Sequence, residues 1–332
     1  MSAEMAEQPS RIADFIERRE AVIDDVTPLL RGTIGTVVVA RGSSDHAATT
    51  GRYLLEMSST RPVASASPSI HTLYNTDVDF DGYAVVGVSQ SGRTPEITSV
   101  LEHAARRGAR TIAITNDPQS PLADAADAVV DLAVGVERAV PATKTVTAEL
   151  VAFAMLAEAF GMPLAPHDWA LLPRQVAQVL DDEEPMRDLA LWLANAVRLA
   201  TVARGPLSGA SAETALKLQE TSSLLAMAFT AADLRHGPIA LASTGIRVLV
   251  LAHPGPAAAD VLELATDLGD RGADVRVLGP VPGSVATWAA DAPEAFAPVL
   301  AVVRGQQLAL HLALILGLDP DRPAGLTKVT AT

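Results

Sequence analysis

The chain reads as an α/β protein built from two tandem copies of one unit, each a doubly wound parallel sheet with helices on both faces, a flavodoxin-like three-layer αβα arrangement. Three observations carry this. Short apolar runs alternate with helical patterns from residue 36 onward. The pattern then recurs: V-V-V-A-R-G (37–42) is echoed by A-T-V-A-R-G (200–205), and Arg41 and Arg204 lie 163 residues apart. Y-A-V-V-G-V (83–88) is echoed by R-V-L-V-L-A (247–252), both followed by an apolar helix ending in R-G-A, with Arg107 and Arg271 separated by 164. Two spacings agreeing within one residue mark a duplication.

In chain order, a first helix is expected over 10–26, because Ile12, Phe15, Ile16, Val22, Ile23 and Val26 share one stripe. T-V-V-V-A (36–40) is a strand, R-G-S-S its loop, and a helix runs from about Ala47 to Met57. A-V-V-G-V (84–88) leads through S-Q-S-G-R-T into a helix from Pro95 to Arg107 and the strand T-I-A-I-T (111–115). Residues 160–185 hold Pro163, Pro166, Pro173 and the acidic D-D-E-E at 181–184, and form the link between copies. The expected organisation is an N-terminal helical segment (1–30), a first domain (31–165), a second domain (186–320) and a C-terminal tail (321–332).

Composition narrows the function. The 332 residues are 49% apolar and only 4% aromatic, which suits helices packed on parallel strands. A formal net charge of −14 disfavours nucleic acid and anionic membrane as partners. There is no cysteine, which removes disulfides, thiolate metal sites and a cysteine nucleophile. The opening M-S-A-E-M-A-E lacks the basic-then-apolar pattern of a secretory leader, and the apolar runs are short or interrupted by charge. The expected compartment is the cytoplasm. Neither a G-x-G-x-x-G after a strand nor a metal-like His/Asp/Glu spacing occurs, so no cofactor or metal is expected.

Ser89, Gln90, Ser91, Gly92, Arg93 and Thr94 lie between a buried strand and a helix beginning at Pro95. Thr94 suits the N-cap and Pro95 the first helical position. Amides at that helix start and three hydroxyls make a neutral cradle for a phosphate dianion. Ser43 and Ser44, after the first strand, point to the same end of the sheet, where open α/β sheets bind ligands. An ordinary polar turn is the alternative. The equivalent loop of the second copy, A-H-P-G-P-A (252–257), has no hydroxyl, and this asymmetry favours a ligand site in the first.

The chain has only three lysines, Lys144, Lys217 and Lys328, among 22 arginines. A lysine amine can lose its proton and attack a carbonyl, which a guanidinium cannot. Lys217 and Glu220 share a helix face in S-A-E-T-A-L-K-L-Q-E (211–220), although Glu213, four residues before Lys217, offers a plain surface ion pair instead. His236, before Gly237 and Pro238, lies in a loop as a possible proton shuttle or as a structural histidine. Taken alone, Lys328 carries no role.

In order, E-M-A-E-Q-P (4–9), R-G-S-S, S-Q-S-G-R-T, V-P-A-T-K-T, A-L-K-L-Q-E, D-L-R-H-G-P and L-T-K-V-T resemble the sugar isomerase (SIS) family. The likeness is to the isomerase half of glucosamine-6-phosphate synthase and its stand-alone relatives, over nearly the whole chain. It implies two tandem SIS domains. It further implies that Ser89, Gln90, Ser91 and Thr94 hold a sugar 6-phosphate, with Ser43 and Ser44 beside the pocket. Glu220 would move a proton between C1 and C2, and His236, from the partner subunit of a homodimer, would assist ring opening. Lys328 would form an imine with the open-chain keto sugar, Lys217 would support the site, and Val140 and Lys144 would flank the ligand.

Departures from the family pattern are Arg93 in place of an acidic residue, Ala142 in place of serine, and a tail one residue shorter. With the motifs starting at Glu4 and no cysteine present, a glutamine-hydrolysing domain is not expected. The expected reaction is glucosamine 6-phosphate to fructose 6-phosphate and ammonia. A fructosamine-6-phosphate deglycase, or an isomerase or lyase acting on galactosamine or N-acetylglucosamine 6-phosphate, is the alternative. A sugar-phosphate-sensing module is the non-enzymatic one.

Overall fold

The computed structural model describes residues 1–328, apart from the side chain of Thr244; the end of the L-T-K-V-T motif, Val329 and Thr330, lies outside the described residues. The chain divides into two compact units. The first comprises Ser10–Glu137 and Lys144–Ala170, the second Met1–Pro9, Arg138–Thr143 and Leu171–Lys328.

The first unit carries β1 (Gly35–Val39), β2 (Val63–Ser65), β3 (Tyr83–Val88), β4 (Arg110–Thr115) and β5 (Ala128–Asp131). They form one parallel sheet in the order β2-β1-β3-β4-β5, with Val38 opposite Val86 and Val86 opposite Ile112. This is the flavodoxin order, and its switch point lies where β1 meets β3. The central strands are covered on both faces, so they read as unbroken apolar runs rather than alternating ones.

Helices α1 (Ser2–Ala6), α2 (Gln8–Glu17) and α3 (Arg19–Leu30) open the chain, and α4 (Ser43–Ser59), α5 (Pro68–Thr72), α6 (Pro95–Arg106) and α7 (Pro121–Asp124) follow the strands. The single helix expected over 10–26 is two, broken at Arg18. That guanidinium donates to the carbonyls of Asp131 and Leu132 at 3.0 and 3.2 Å and lies over the Phe15 ring. Helix α8 (Lys144–Ala159) is buried along its whole length except Glu158. It packs so close to α4 that a Cβ on Gly51 would stand 2.2 Å from the Phe153 ring. The expected link of 160–185 is largely helical, as α9 (Pro166–Asp181), with Trp169, Leu172, Val176 and Val179 buried at helical spacing.

The second unit repeats the plan with β6 (Arg198–Ala203), β7 (Leu225–Thr230), β8 (Arg247–Leu251) and β9 (Asp274–Leu278). Their parallel order, β7-β6-β8-β9, matches β2-β1-β3-β4, so the echoes at 200–205 and 247–252 fall on corresponding strands. Helices α10 (Glu184–Leu193), α11 (Leu207–Ser222), α12 (Ala231–Arg235), α13 (Ala258–Asp270) and α14 (Ala297–Ile315) complete it. Among the described residues α14 alone has the length and apolarity to cross a bilayer, and 89% of that stretch is buried within the protein. Arg304 anchors it by donating to the carbonyls of Asp182 and Thr287, and to the Asp182 carboxylate at 2.6 Å.

Candidate active site

The carboxyl ends of β3, β4 and β5 supply one wall of the first unit's site. Gly92 adopts φ +61°, and a Cβ there would stand 1.9 Å from Ser120 Oγ, so only glycine lets the loop fold down onto α7's capping serine. The amide of Asn116 donates to the Gln90 carbonyl at 3.1 Å and Leu122 N to that of Gly92, pinning the loop to the next strand's end. Thr94 occupies the N-cap of α6 and Pro95 its first position, as expected, but the threonine side chain makes no capping bond. Its hydroxyl instead lies 3.3 Å from Ser89 Oγ, and Ser91 Oγ accepts from Arg93 N at 3.3 Å. The three hydroxyls therefore belong to one loop at one helix start, the arrangement that receives an oxyanion.

Two ion pairs border this loop. Arg93 holds Asp117 at 2.9 Å and Arg41 holds Glu96 at 2.8 Å. The Gln119 amide and the Arg93 guanidinium together keep the Asp117 carboxyl below its ordinary pKa. Beside Gln90 a hollow of about 450 Å³ is lined by Asn116, Asp131, Gly135 and Glu137 among others.

Ser44 does not stand open to a ligand: it is buried and donates to Glu149 Oε1 at 2.8 Å. Ser43 starts α4 and is partly exposed. Lys144, 2% exposed, starts α8, its amine 3.9 Å from where a Gly135 Cβ would be. Glu149 was missed by sequence reasoning; the signal was a lone carboxylate in an otherwise uncharged helical stretch, 145–157.

The second unit's equivalent loop is closed by its own side chains. His253 Nδ1 accepts from Trp288 Nε1 at 3.0 Å and its Nε2 donates to the Ala292 carbonyl at 2.9 Å. Burial lowers the histidine's pKa, so the ring is neutral with the proton on Nε2. The Glu294 carboxylate fills the space over Gly255, and burial raises its pKa.

The second unit carries a cluster of charge of its own. On α11, Lys217 is fully buried, its amine 3.2 Å from Glu213 Oε1 and in a short hydrogen bond to Glu220 Oε2. The surface pair considered from sequence is thus a buried pair, with Glu213 at 1% exposure, extended by a partly exposed Glu220. Burial alone would lower the Lys217 amine, but the two carboxylates more than reverse it and hold its pKa above the ordinary value. Burial drives Glu220 up, Lys217 opposes this, Glu213 reinforces it, and the charge of Lys328 again opposes it. The net result is a carboxyl with a raised pKa and a partly exposed tip. Lys328, idle in the sequence taken alone, thus lies within electrostatic reach of Glu220.

His236 caps the C-terminus of α12, exposed, with its amide on the Asp233 carbonyl at 3.1 Å. The charges that bear most on Glu220 are those of Lys217, Glu213 and Lys328. Val140 lies in Arg138–Thr143, its amide bonded to the Asp321 carbonyl at 3.0 Å.

The SIS domain pattern matches residues 35–159. A solved structure from Silicibacter pomeroyi DSS-3, provisionally described as a phosphosugar isomerase, superposes with a TM-score of 0.88 at 30% identity, covering 97% of this chain and 99% of that one. The chain belongs to the SIS family. Against glutamine–fructose-6-phosphate aminotransferase (isomerizing) of Gloeobacter violaceus, 99% of the chain aligns at 32% identity. It spans only 58% of that relative's length. The fold also matches a Thermotoga maritima structure described as glucosamine-6-phosphate deaminase, at TM-score 0.75 and 22% identity over 98% of the chain. Both parallel sheets are thus those of an SIS protein.

Proposed function

We propose that this SIS protein is a phosphosugar isomerase–deaminase, converting glucosamine 6-phosphate and water to fructose 6-phosphate and ammonia. The observation that carries the reading is the Glu213–Lys217–Glu220 triad, buried except for the tip of Glu220, with the charge of Lys328 acting on it. A carboxyl whose pKa is raised by burial beside specific charge partners is the kind of group that acid–base sites use.

In the proposed reaction the loop hydroxyls of Ser89, Ser91 and Thr94, with Gln90, hold the phosphate and so fix the reacting carbons. Glu220, ionised by the opposing cations, takes the C2 proton of the open-chain aldose and returns it to C1 through an enediol-type intermediate. The product is an imine at C2. Lys328 exchanges with that imine, releasing ammonia, and water then frees the ketose; the sum is one water consumed and one ammonia formed. Lys217 keeps Glu220 oriented, and Val140 and Lys144 flank the sugar, with Ser43 and Ser44 shaping the loop beside it. His236, exposed on its own chain, would serve the partner site of a homodimer by protonating the ring oxygen.

Arg93 favours a second reading. Its guanidinium at the cradle, paired with an exposed aspartate, suits a substrate with a further anionic group, as a fructosamine 6-phosphate derived from an amino acid has. A panel of hexosamine 6-phosphates and fructosamine 6-phosphates, assayed for ammonia or amine release and ketose formation, separates the two. Glu220→Gln is expected to keep ligand binding while turnover falls by about 10²–10⁴-fold, the usual worth of general acid–base catalysis. Full turnover in that variant would remove Glu220 from the chemistry. Tight binding of the panel without turnover of any member would favour a sensing module.

A further inference from the structure

We infer that Glu4 is a positioning residue for the Arg138–Thr143 segment and, through it, for the tail that carries Lys328. The inference rests on the functional reading above for what the segment does, but its geometry is independent of it. The segment has no regular secondary structure and contains Pro141, so its backbone must find partners elsewhere. It finds them in the two ends of the chain. Glu4, on α1 and 8% exposed, accepts through Oε1 a short hydrogen bond from Arg138 N, and both carboxylate oxygens lie 3.3 Å from Ala139 N. The next amide, Val140 N, donates to the Asp321 carbonyl at 3.0 Å. Three consecutive amides are thus shared between a side chain from the first turn of the protein and the turn that begins its tail.

The far end of the segment is fastened separately. Gln306 on α14 donates from Nε2 to the Thr143 carbonyl at 3.2 Å, while its Oε1 accepts from Gln8 Nε2 at 2.9 Å, and both glutamines are fully buried. Residues 4 and 8 therefore hold opposite ends of a six-residue stretch, one directly and one through α14. A carboxylate receiving consecutive backbone amides is a charge-assisted contact, roughly twice as strong as a neutral one. Removing it leaves two amides without acceptors and loosens the Val140–Asp321 bond beside them. The tail turn is then held by the Met1 ammonium on Asp321 without the Val140 bond, and Lys328, seven residues further on, sits on a looser base.

The test is hydrogen exchange followed by mass spectrometry on the full-length protein, together with steady-state kinetics. Glu4→Ala is expected to lose protection in peptides covering 138–143 and 319–328 while α11 and α14 keep theirs. Its kcat should fall by as much as about 10²-fold, the scale of an ångström of misplacement, with KM rising less. Glu4→Gln keeps an acceptor of the same length and should restore both protection and most of the rate. Glu4→Asp, which withdraws the carboxylate by one carbon, should behave as Glu4→Ala and serves if the alanine variant does not fold. Unchanged exchange in 138–143 with Glu4→Ala or Glu4→Asp would overturn the inference whatever the activity. Loss of protection with unchanged kcat would overturn the link to the tail. A wild-type protein inert to the whole substrate panel would instead overturn the functional reading, and the exchange pattern would still decide whether Glu4 holds the segment.

Discussion

Lys217 shows how one buried side chain sets the chemistry of its neighbours. With Glu213 four residues before it and Glu220 three after it on α11, its buried positive charge meets one buried and one partly exposed carboxylate. Burial raises the pKa of Glu220, and Glu213 adds to that, while Lys217 opposes it. A general base must be ionised, so kcat/KM should rise with pH along an acid limb lying above the ordinary glutamate value of 4.5. Lys328 works in the other direction, lowering that pKa. Lys328→Met should therefore move the limb to higher pH, read from residual turnover or from NMR titration of the glutamate carboxyls. A limb unmoved in that variant would separate the tail lysine from Glu220. The spacing of these residues was legible in the sequence, but their burial was not. Periodicity cannot show which face of a helix meets an interior when that face is charged.

Loops and helices of the two copies diverge where function would pull them apart. The strands correspond one for one, and their alternation with helices was readable because covered parallel strands are continuously apolar. The loops after β3 and β8 were equally legible as different: one carries hydroxyls, the other is filled by His253, Trp288 and Glu294. What sequence could not reveal is close approach. In the first unit Gly51 on α4 admits Phe153 of α8, whereas in the second Gly305 on α14 admits Thr214 of α11, so the glycine has changed helices between copies. The cradle has the same requirement at Gly92, where positive φ and contact with Ser120 coincide. Gly92→Ala should therefore lift the loop from α7 and weaken binding of any sugar phosphate, with unfolding of the remainder little changed. Calorimetric titration with glucosamine 6-phosphate or inorganic phosphate, set against the melting temperature, checks this. Retained affinity would show that the loop does not need its observed shape.

The chain as a whole carries a formal net charge of −14, yet the proposed ligand is itself an anion. The first unit meets this by local means. Amides and hydroxyls form the cradle, and the arginines beside it, Arg93 and Arg41, are already paired with Asp117 and Glu96. Composition alone made the acidic balance legible and argued against polyanionic partners. It could not show that Glu4 reaches Arg138 or that Asp321 meets Val140, because bonds between residues more than a hundred positions apart leave no local pattern. The same charge balance yields a prediction about the molecule in solution. With no unpaired cation assigned to the cradle, the long-range field opposes the approach of an anionic sugar phosphate. Raising the salt from about 0.01 M to about 0.1 M shortens the Debye length from about 30 Å to about 10 Å. KM for glucosamine 6-phosphate should therefore fall over that range, with kcat little affected, when measured at constant pH. A KM that climbs with salt would mean that Arg93 or Arg41 leaves its aspartate or glutamate to meet the phosphate, turning a hydrogen-bonded cradle into an ion-paired one.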